Sequence, residues 1–405
     1  MLSAFSSKCL LPFLVTVTCL LLILIISTPE TTGCSWGYPI WIIRSKSADP
    51  LYRFMNNGKA GYIDSVGNIV IAPQFEGGYG NKGGEFHNGL MLPNGFGKYV
   101  DTWGKSPFDQ HYSYAFDFSE GLAMVDDKAN KWGYINTSGE FVITPRFDGA
   151  SSFSEGLAAI RVGTEFGYID RSGELVIPPR FVYGGDFHDG MAFVVAEGPC
   201  RYSWPGPCGG SDIFPRGTIR FDRIPQCSYG FIDRSGALIS EKRYDSTGDF
   251  AEGLAPVRIG KKWGYIDKTG QVVIETKFDD ANPFADGLAL VGQDEMFGYI
   301  DRSGAFAISP EFRYAEDFSE GLAVVGTWFS DTKYRRPECY YINKQGKQAI
   351  AEKFRYASHF FKGLAHVRLK PVSSDGKSDW REERSFAYID ATGRKVFTYS
   401  ETRTN

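Results

Sequence analysis

Aspartate recurs in one setting, Asp-x-x-Gly, as at Asp64, Asp170, Asp233, Asp267, Asp301 and Asp390. Carboxylates in such number could act as general acids and bases or hold a cation. Acid–base work needs two of them in one cleft with pKa values driven apart, and a calcium loop needs further oxygen ligands at alternate positions. No copy places a second carboxylate in a calcium-loop pattern. The motif has a sufficient structural reason: Asp accepts from the backbone two residues on, and Gly takes the φ > 0 position of a tight turn. A second acidic set, Glu120, Glu155, Glu252, Asp286 and Glu320, precedes Gly-Leu-Ala or Gly-Leu. These residues read as polar turn tips, able to line one edge of the molecule as an acidic row.

Nucleophilic and metal chemistry have less to build on. Of the five histidines, His87 and His188 occupy equivalent positions before Asn-Gly and Asp-Gly, which marks them as turn residues, and only His359 and His366 are near one another. No Gly-x-Ser-x-Gly elbow, His-Glu-x-x-His helix or Walker loop occurs. Three cysteines, Cys200, Cys208 and Cys227, lie in a Pro- and Gly-rich stretch without histidine, so a zinc site lacks its fourth ligand there. A disulfide is expected instead, Cys200–Cys208 or Cys208–Cys227, with Cys339 a further candidate. No residue is nominated as catalytic, as a metal ligand or as a cofactor contact, and the chain is expected not to be an enzyme.

The elements that must position these residues repeat. The strings KWGYINTSGEFVITPRFDGASSFSEGLAAI at 131–160 and KWGYIDKTGQVVIETKFDDANPFADGLALV at 262–291 are two copies of one pattern. Its register falls at Gly61, Gly97, Gly133, Gly167, Gly230, Gly264 and Gly298, then at Tyr340 and Ala387 in diverged copies, and the last copy lacks its final third, like a terminal cap or a worn end. In Trp-Gly-Tyr-Ile-Asp the side chains alternate, so Trp263, Tyr265 and Asp267 share one face and Gly264 and Ile266 the other. A return strand follows (Val142-Ile143, Val176-Ile177, Val273-Ile274), then often a proline (Pro145, Pro179, Pro310) expected to end ladder pairing, then a second tight turn at Gly156, Gly253, Gly287 and Gly321 and a short Leu-Ala strand.

These residues resemble the WG-repeat family, named for the pair seen at Trp132-Gly133 and Trp263-Gly264, over roughly Lys59 to Phe397. Trp gives way to Phe166, Phe297, Tyr229 and Ala60, keeping an aromatic in all but the last. The resemblance implies a repeat fold and little about activity. The expected fold is all-β: tandem three-stranded hairpin-like repeats in an open β-solenoid or superhelical array, with a closed propeller of about eight blades as the alternative. The repeated aromatics read chiefly as core, and less as a platform for stacking sugars.

With 44 basic and 48 acidic residues the net charge is −4, which leaves no basic face for nucleic acid. Residues 1–30 hold the uncharged apolar run Leu10–Ile26, read as a signal peptide or membrane anchor. Thr31-Thr32-Gly33-Cys34 ends like a lipoprotein box, which makes Cys34 a possible lipidation site. Residues 31–58 are expected to be linker or N-terminal cap, 59–397 the array with an insertion at 197–228, and 398–405 a polar tail. Specificity is expected in the insertions, where Trp103, Tyr202, Trp204, Trp328 and Trp380 are candidate binding aromatics. The functional expectation is an exported or membrane-tethered, non-enzymatic binding or scaffold protein for a protein or cell-envelope glycan. An envelope-polymer hydrolase with a site between the insertions is the alternative.

Overall fold

Each sheet takes its strands from two successive copies of the repeat. In a computed structural model, which describes residues 50–76, 84–93, 98–127, 129–197, 218–219, 228–239, 244–327, 338–369 and 384–401, the pattern is clearest in the fourth sheet. Gly149–Ala150 and Leu157–Val162 come from one copy and Glu165–Asp170 and Leu175–Phe181 from the next, paired antiparallel in chain order. The Leu-Ala strand thus lies beside the following Gly-Tyr-Ile-Asp strand, with Leu157 opposite Asp170 and Ala159 opposite Tyr168. This offset accounts for both ends of the array. Tyr52–Asn56, within the stretch expected to be linker or cap, is the Leu-Ala-type strand of the first sheet, with Arg53 opposite Tyr62. The last copy therefore needs no final third, and the ninth sheet is complete with Tyr356–Ala357, Ala365–Arg368, Arg384–Ile389 and Lys395–Glu401.

Nine sheets form among the described residues. Between the ends their described strands lie within 90–91 and 100–101; 122–147; 149–181; 183–197 and 228–233; 218–219 and 246–278; 280–312; and 314–327 and 338–343. No helix of the described residues is long and apolar enough to cross a membrane; the apolar run at 10–26 and Cys34 lie outside them.

Both faces of each sheet are apolar. In the sixth sheet Trp263, Tyr265, Ile274 and Phe278 pack against Ala281, Phe284 and Val291 of the seventh. Ile266, Ala255 and Val257 face Phe193 and Phe231 of the fifth. The alternation expected of Trp-Gly-Tyr-Ile therefore sends its two sets of side chains into two different cores. Trp263 is 4% exposed and the repeat tyrosines Tyr134, Tyr168, Tyr265, Tyr299 and Tyr341 are fully buried. The repeated aromatics are core, not a ligand platform.

A buried tyrosine must satisfy its hydroxyl. Each donates to a backbone carbonyl on the next sheet: Tyr134 to Ser151 at 2.8 Å, Tyr168 to Gly185 at 2.9 Å, Tyr265 to Asn282 at 2.8 Å, Tyr299 to Glu316 at 2.7 Å, Tyr341 to Ser358 at 2.7 Å. The series does not stop at the last sheet. Tyr388 of the ninth donates to Arg53 of the first at 2.6 Å, and Tyr52 donates back to Lys362 at 2.5 Å. Phe54 meets Phe397 edge-on at 4.9 Å, inside a core shared by Tyr52, Ile63, Leu364 and Tyr388. Nine sheets thus enclose nine inter-sheet cores, one more than an open stack would have. Of the two architectures anticipated, these contacts describe the closed one, with nine sheets among the described residues where about eight were expected.

The glycine of Trp-Gly is there for space. Gly264 pairs where the return strand Val272–Phe278, the third strand of its repeat, bulges, between Trp263 opposite Phe278 and Tyr265 opposite Ile274. A Cβ added to Gly264 would lie 2.4 Å from the Ile274 carbonyl oxygen, and one on Gly133 2.5 Å from that of Ile143. The bulge also corrects the expectation for proline: Pro145, Pro179 and Pro310 lie within the third strands, which resume pairing beyond them at Trp132–Phe147, Phe166–Phe181 and Phe297–Phe312. A bulge leaves one residue without a ladder partner, so a missing N–H is tolerated there. Where Gly becomes Tyr340, the third strand shrinks to isolated bridges, Ile342–Gln348 and Cys339–Phe354. Gly264→Ala is expected to destabilise the ring by roughly 1–3 kcal/mol through this overpacking, read as a lower urea midpoint. An unchanged midpoint would contradict the role given to the bulge.

Candidate functional site

The repeated acids have structural work. Asp170 accepts from the backbone N–H of Ser172 at 2.9 Å and of Glu174 at 3.1 Å, while Gly173 takes φ 90°. The Ser172 hydroxyl, also bonded to it, holds the Asp170 carboxyl below the usual range, and Thr392 takes that of Asp390 down to about 2. The second acidic set has a role that sequence did not reveal. Glu120, Glu155, Asp189, Glu252, Asp286 and Glu320 all sit at φ between 52° and 54°, each followed by a left-handed glycine. A left-handed conformation is unfavourable for these side chains, but each carboxylate accepts the backbone N–H of the glycine in the next turn: Glu120 from Gly156 at 2.9 Å, Glu155 from Gly190 at 2.8 Å, Glu252 from Gly287 at 3.0 Å, Glu320 from Gly363 at 2.9 Å. The acidic row exists as a chain of clasps from sheet to sheet.

The two edges of each sheet are unlike. The third strands expose apolar groups, with Leu175 at 54% and Val273 at 47%. The opposite edge, formed by the short strands such as Gly149–Ala150, Ser246–Gly248 and Tyr314–Ala315, carries half-buried ionisable groups that are strongly desolvated. In a closed ring one edge of every sheet faces the axis, and this burial assigns the short strands to it.

The candidate site is the row at that inner edge, at the position before the phenylalanine that opens each Leu-Ala turn: Glu85, Asp117, Ser152, Asp186, Asp249, Pro283, Asp317 and His359. Burial raises the Asp186 carboxyl, against a hydrogen bond from Ser151, and Asp249 adds a like charge. Burial also raises Asp249, while the nearby His188 opposes it, Nε2 to Oδ2 3.8 Å. Asp317 is pushed up to about 6 by burial, although Asn282 donates to it at 3.0 Å, and Glu316 beside it is raised by the same cause. His87 repeats the relation of His188, standing 3.9 Å from Asp117 of the next sheet. The two equivalent histidines are thus each partnered with a carboxylate one sheet on, rather than with each other. Every shift resolved within the row is upward and has burial as its first cause. Asp186, Asp249 and Asp317 thus shift together rather than apart, whereas acid–base catalysis needs two groups driven apart. Among the described residues no three His, Cys, Asp or Glu gather as a metal site.

Few of the sequence candidates enter this row. Trp103 occupies the Asp101–Gly104 turn, 42% exposed, its N–H on Asp101 Oδ1 at 2.9 Å. Tyr202, Trp204, Trp328 and Trp380, with Cys200, Cys208 and Cys227, lie outside the described residues. Cys339, expected as a disulfide candidate, is instead a free thiol at the tryptophan position of its copy, buried against Val324, Tyr341 and Phe354 and pushed up to about 11 by that burial. The 197–228 insertion does reach the row: Thr218–Ile219 adds a strand to the inner edge of the sixth sheet, with Thr218 opposite Gly248 beside Asp249. A recess of about 320 Å³ lies between Arg180 and Leu238, but the Arg180 guanidinium is occupied by the Gly236 carbonyl at 2.6 Å.

A family model described as a WG containing repeat matches residues 61–90, 132–163, 166–198, 229–263, 263–296, 297–326 and 341–370, more than half of the chain. Among solved structures the chain is similar to one titled a crystal structure of the eukaryotic initiation factor, at 14% identity over 87% of this chain and 96% of that one, with a TM-score of 0.55. BamB from Moraxella catarrhalis, at 13% identity over 73% and 94% of the two chains, and a Dos1 propeller, at 13% over 80% and 90%, have TM-scores of 0.34 and 0.33. The first likeness speaks to fold alone. No curated protein matches the chain.

Because the Asp317 carboxyl ionises less readily in the folded chain than in the unfolded one, its charge opposes folding above about pH 6 and ceases to do so as pH falls toward about 4. Asp317→Asn is expected to raise the melting temperature at pH 7.5, the gain disappearing near pH 4. Equal melting temperatures at both pH values would contradict the desolvation assigned to this row.

Proposed function

The chain belongs to the WG-containing repeat family, and we propose that it is a non-enzymatic binding or scaffold module whose partner is recognised at the inner edge of the ring. The observation that carries this reading is the meeting of the two non-repeating features. The variable ionisable row and the inserted strand Thr218–Ile219 come together at Gly248 and Asp249. Residues that recur in every copy are occupied by turns, clasps and cores, so they offer a partner nothing that varies. Asp186, Asp249 and Asp317, which burial makes resist ionisation, gain most from a cationic group, which would restore their charge. That favours a protein segment bearing lysine or arginine over a neutral glycan. Export or tethering through the apolar run at 10–26 belongs to the same proposal.

A hydrolase of envelope polymers would need the Asp186–Asp249 pair to divide acid and base roles, and their common upward shift argues against it. The decisive experiment incubates the purified chain with isolated cell-wall glycan and with an oligolysine peptide. We expect no time-dependent release of reducing ends, and peptide binding that weakens at least tenfold in Asp186→Asn/Asp249→Asn. Release of reducing ends by the natural chain that this double variant abolishes would overturn the binding reading.

A further inference from the structure

Eight of the nine contacts between neighbouring sheets are crossed by the chain, and the contact of the ninth sheet with the first is not. It is held by the Tyr388 and Tyr52 hydroxyls and by Phe54 against Phe397 and Tyr399. This is therefore the contact at which the ring can part without breaking a sheet.

His366 stands behind that contact. The positions equivalent to it, opposite the repeat aromatic, carry Met124, Ala159, Phe193, Pro256, Leu290 and Val324 in six other sheets. In the ninth sheet the imidazole stacks on Phe386 at 5.2 Å and Tyr399 at 5.9 Å, with Tyr388 at 5.0 Å and Tyr356 at 6.2 Å. Its Nε2 is 2.9 Å from the Tyr399 oxygen. Tyr399 thus turns its ring to Phe54 of the first sheet and its hydroxyl to the imidazole, and a neutral Nε2 can accept the hydroxyl proton. A protonated ring can only donate at Nε2, which leaves the hydroxyl proton without that acceptor. The charged groups about this stack are Arg53 from the first sheet, Arg368, Arg384 and Glu401 from the ninth, Glu85 toward Tyr388 and Glu316 toward Tyr356.

We propose that the ninth–first contact is a detachable seam and that protonation of His366 opens it. Burial holds the His366 imidazole at about 4 in the closed ring, while a parted seam returns it toward its ordinary value of about 6.5. The closed form is fully favoured above about pH 6.5, and opening becomes up to about tenfold easier per pH unit as pH falls toward about 4. The raised inner-edge carboxylates work in the opposite direction over that interval, so the response must be isolated at His366 itself. This inference does not depend on what the ring binds.

Hydrogen exchange of the full chain, corrected for intrinsic rates, tests it. Between pH 6.5 and 4.5 the peptides 51–56 and 395–401 are expected to lose protection at least tenfold, while 157–162 in the fourth sheet keeps its own. His366→Leu, which places there the residue the seventh sheet carries, is expected to abolish that loss. Unchanged protection at the seam, or an acid response surviving in His366→Leu, overturns the proposal. If that variant does not fold, His366→Met, which places there the residue the third sheet carries, decides: it is expected to abolish the acid response, and a response surviving in it overturns the proposal equally.

Discussion

A sheet of three or four short strands that is apolar on both faces can bury neither face alone. The sheets of this chain are of that kind: Trp263 and Tyr265 load one side, Ile266 and Val257 the other. A stack with ends would leave two such faces in water. Closing the stack removes both, and the first and last sheets meet through the same tyrosine-to-carbonyl contact that joins the others, from Tyr388 to Arg53.

Much of the repeat then follows from keeping neighbouring sheets in register. Tyrosine rather than phenylalanine recurs because its hydroxyl reaches the next sheet. Glycine follows tryptophan because the Ile274 carbonyl passes over it. Glutamate or aspartate occupies a left-handed turn because its carboxylate takes the next turn's N–H, as Glu252 does from Gly287. Among the described residues, the position before the phenylalanine of each Leu-Ala turn, on the inner edge, is one that does not repeat.

What could be read from the sequence was whatever is local. Asp-x-x-Gly turns, the two faces of Trp-Gly-Tyr-Ile and the all-β class rest on neighbours within a few residues. Closure rests on Arg53 and Tyr388, and no short-range pattern connects them. The phase of sheet against repeat was hidden because Tyr52–Asn56 does not resemble Leu-Ala-x-Val until its pairing with Lys59–Ile63 is seen. Proline in the third strand misled, since the bulge that accommodates it depends on the partner strand's glycine. The inner row was missed because its residue type varies, from Glu85 to Pro283 to His359. The usable signal was its fixed place before the phenylalanine of each Leu-Ala turn. Cys339 joined the disulfide candidates on residue type alone, whereas its register at the tryptophan position marks it as core.

The distance between the first and last sheets tests the closed ring most directly. Spin labels at the exposed positions Asn57 and Thr398 would be measured by pulsed dipolar spectroscopy at neutral pH. Sheets pack about 10 Å apart, so nine in an open stack would separate these labels by about 80 Å. The closed ring predicts a single short distance, below about 30 Å, for sheets in direct contact. A distribution centred near the longer value would contradict it.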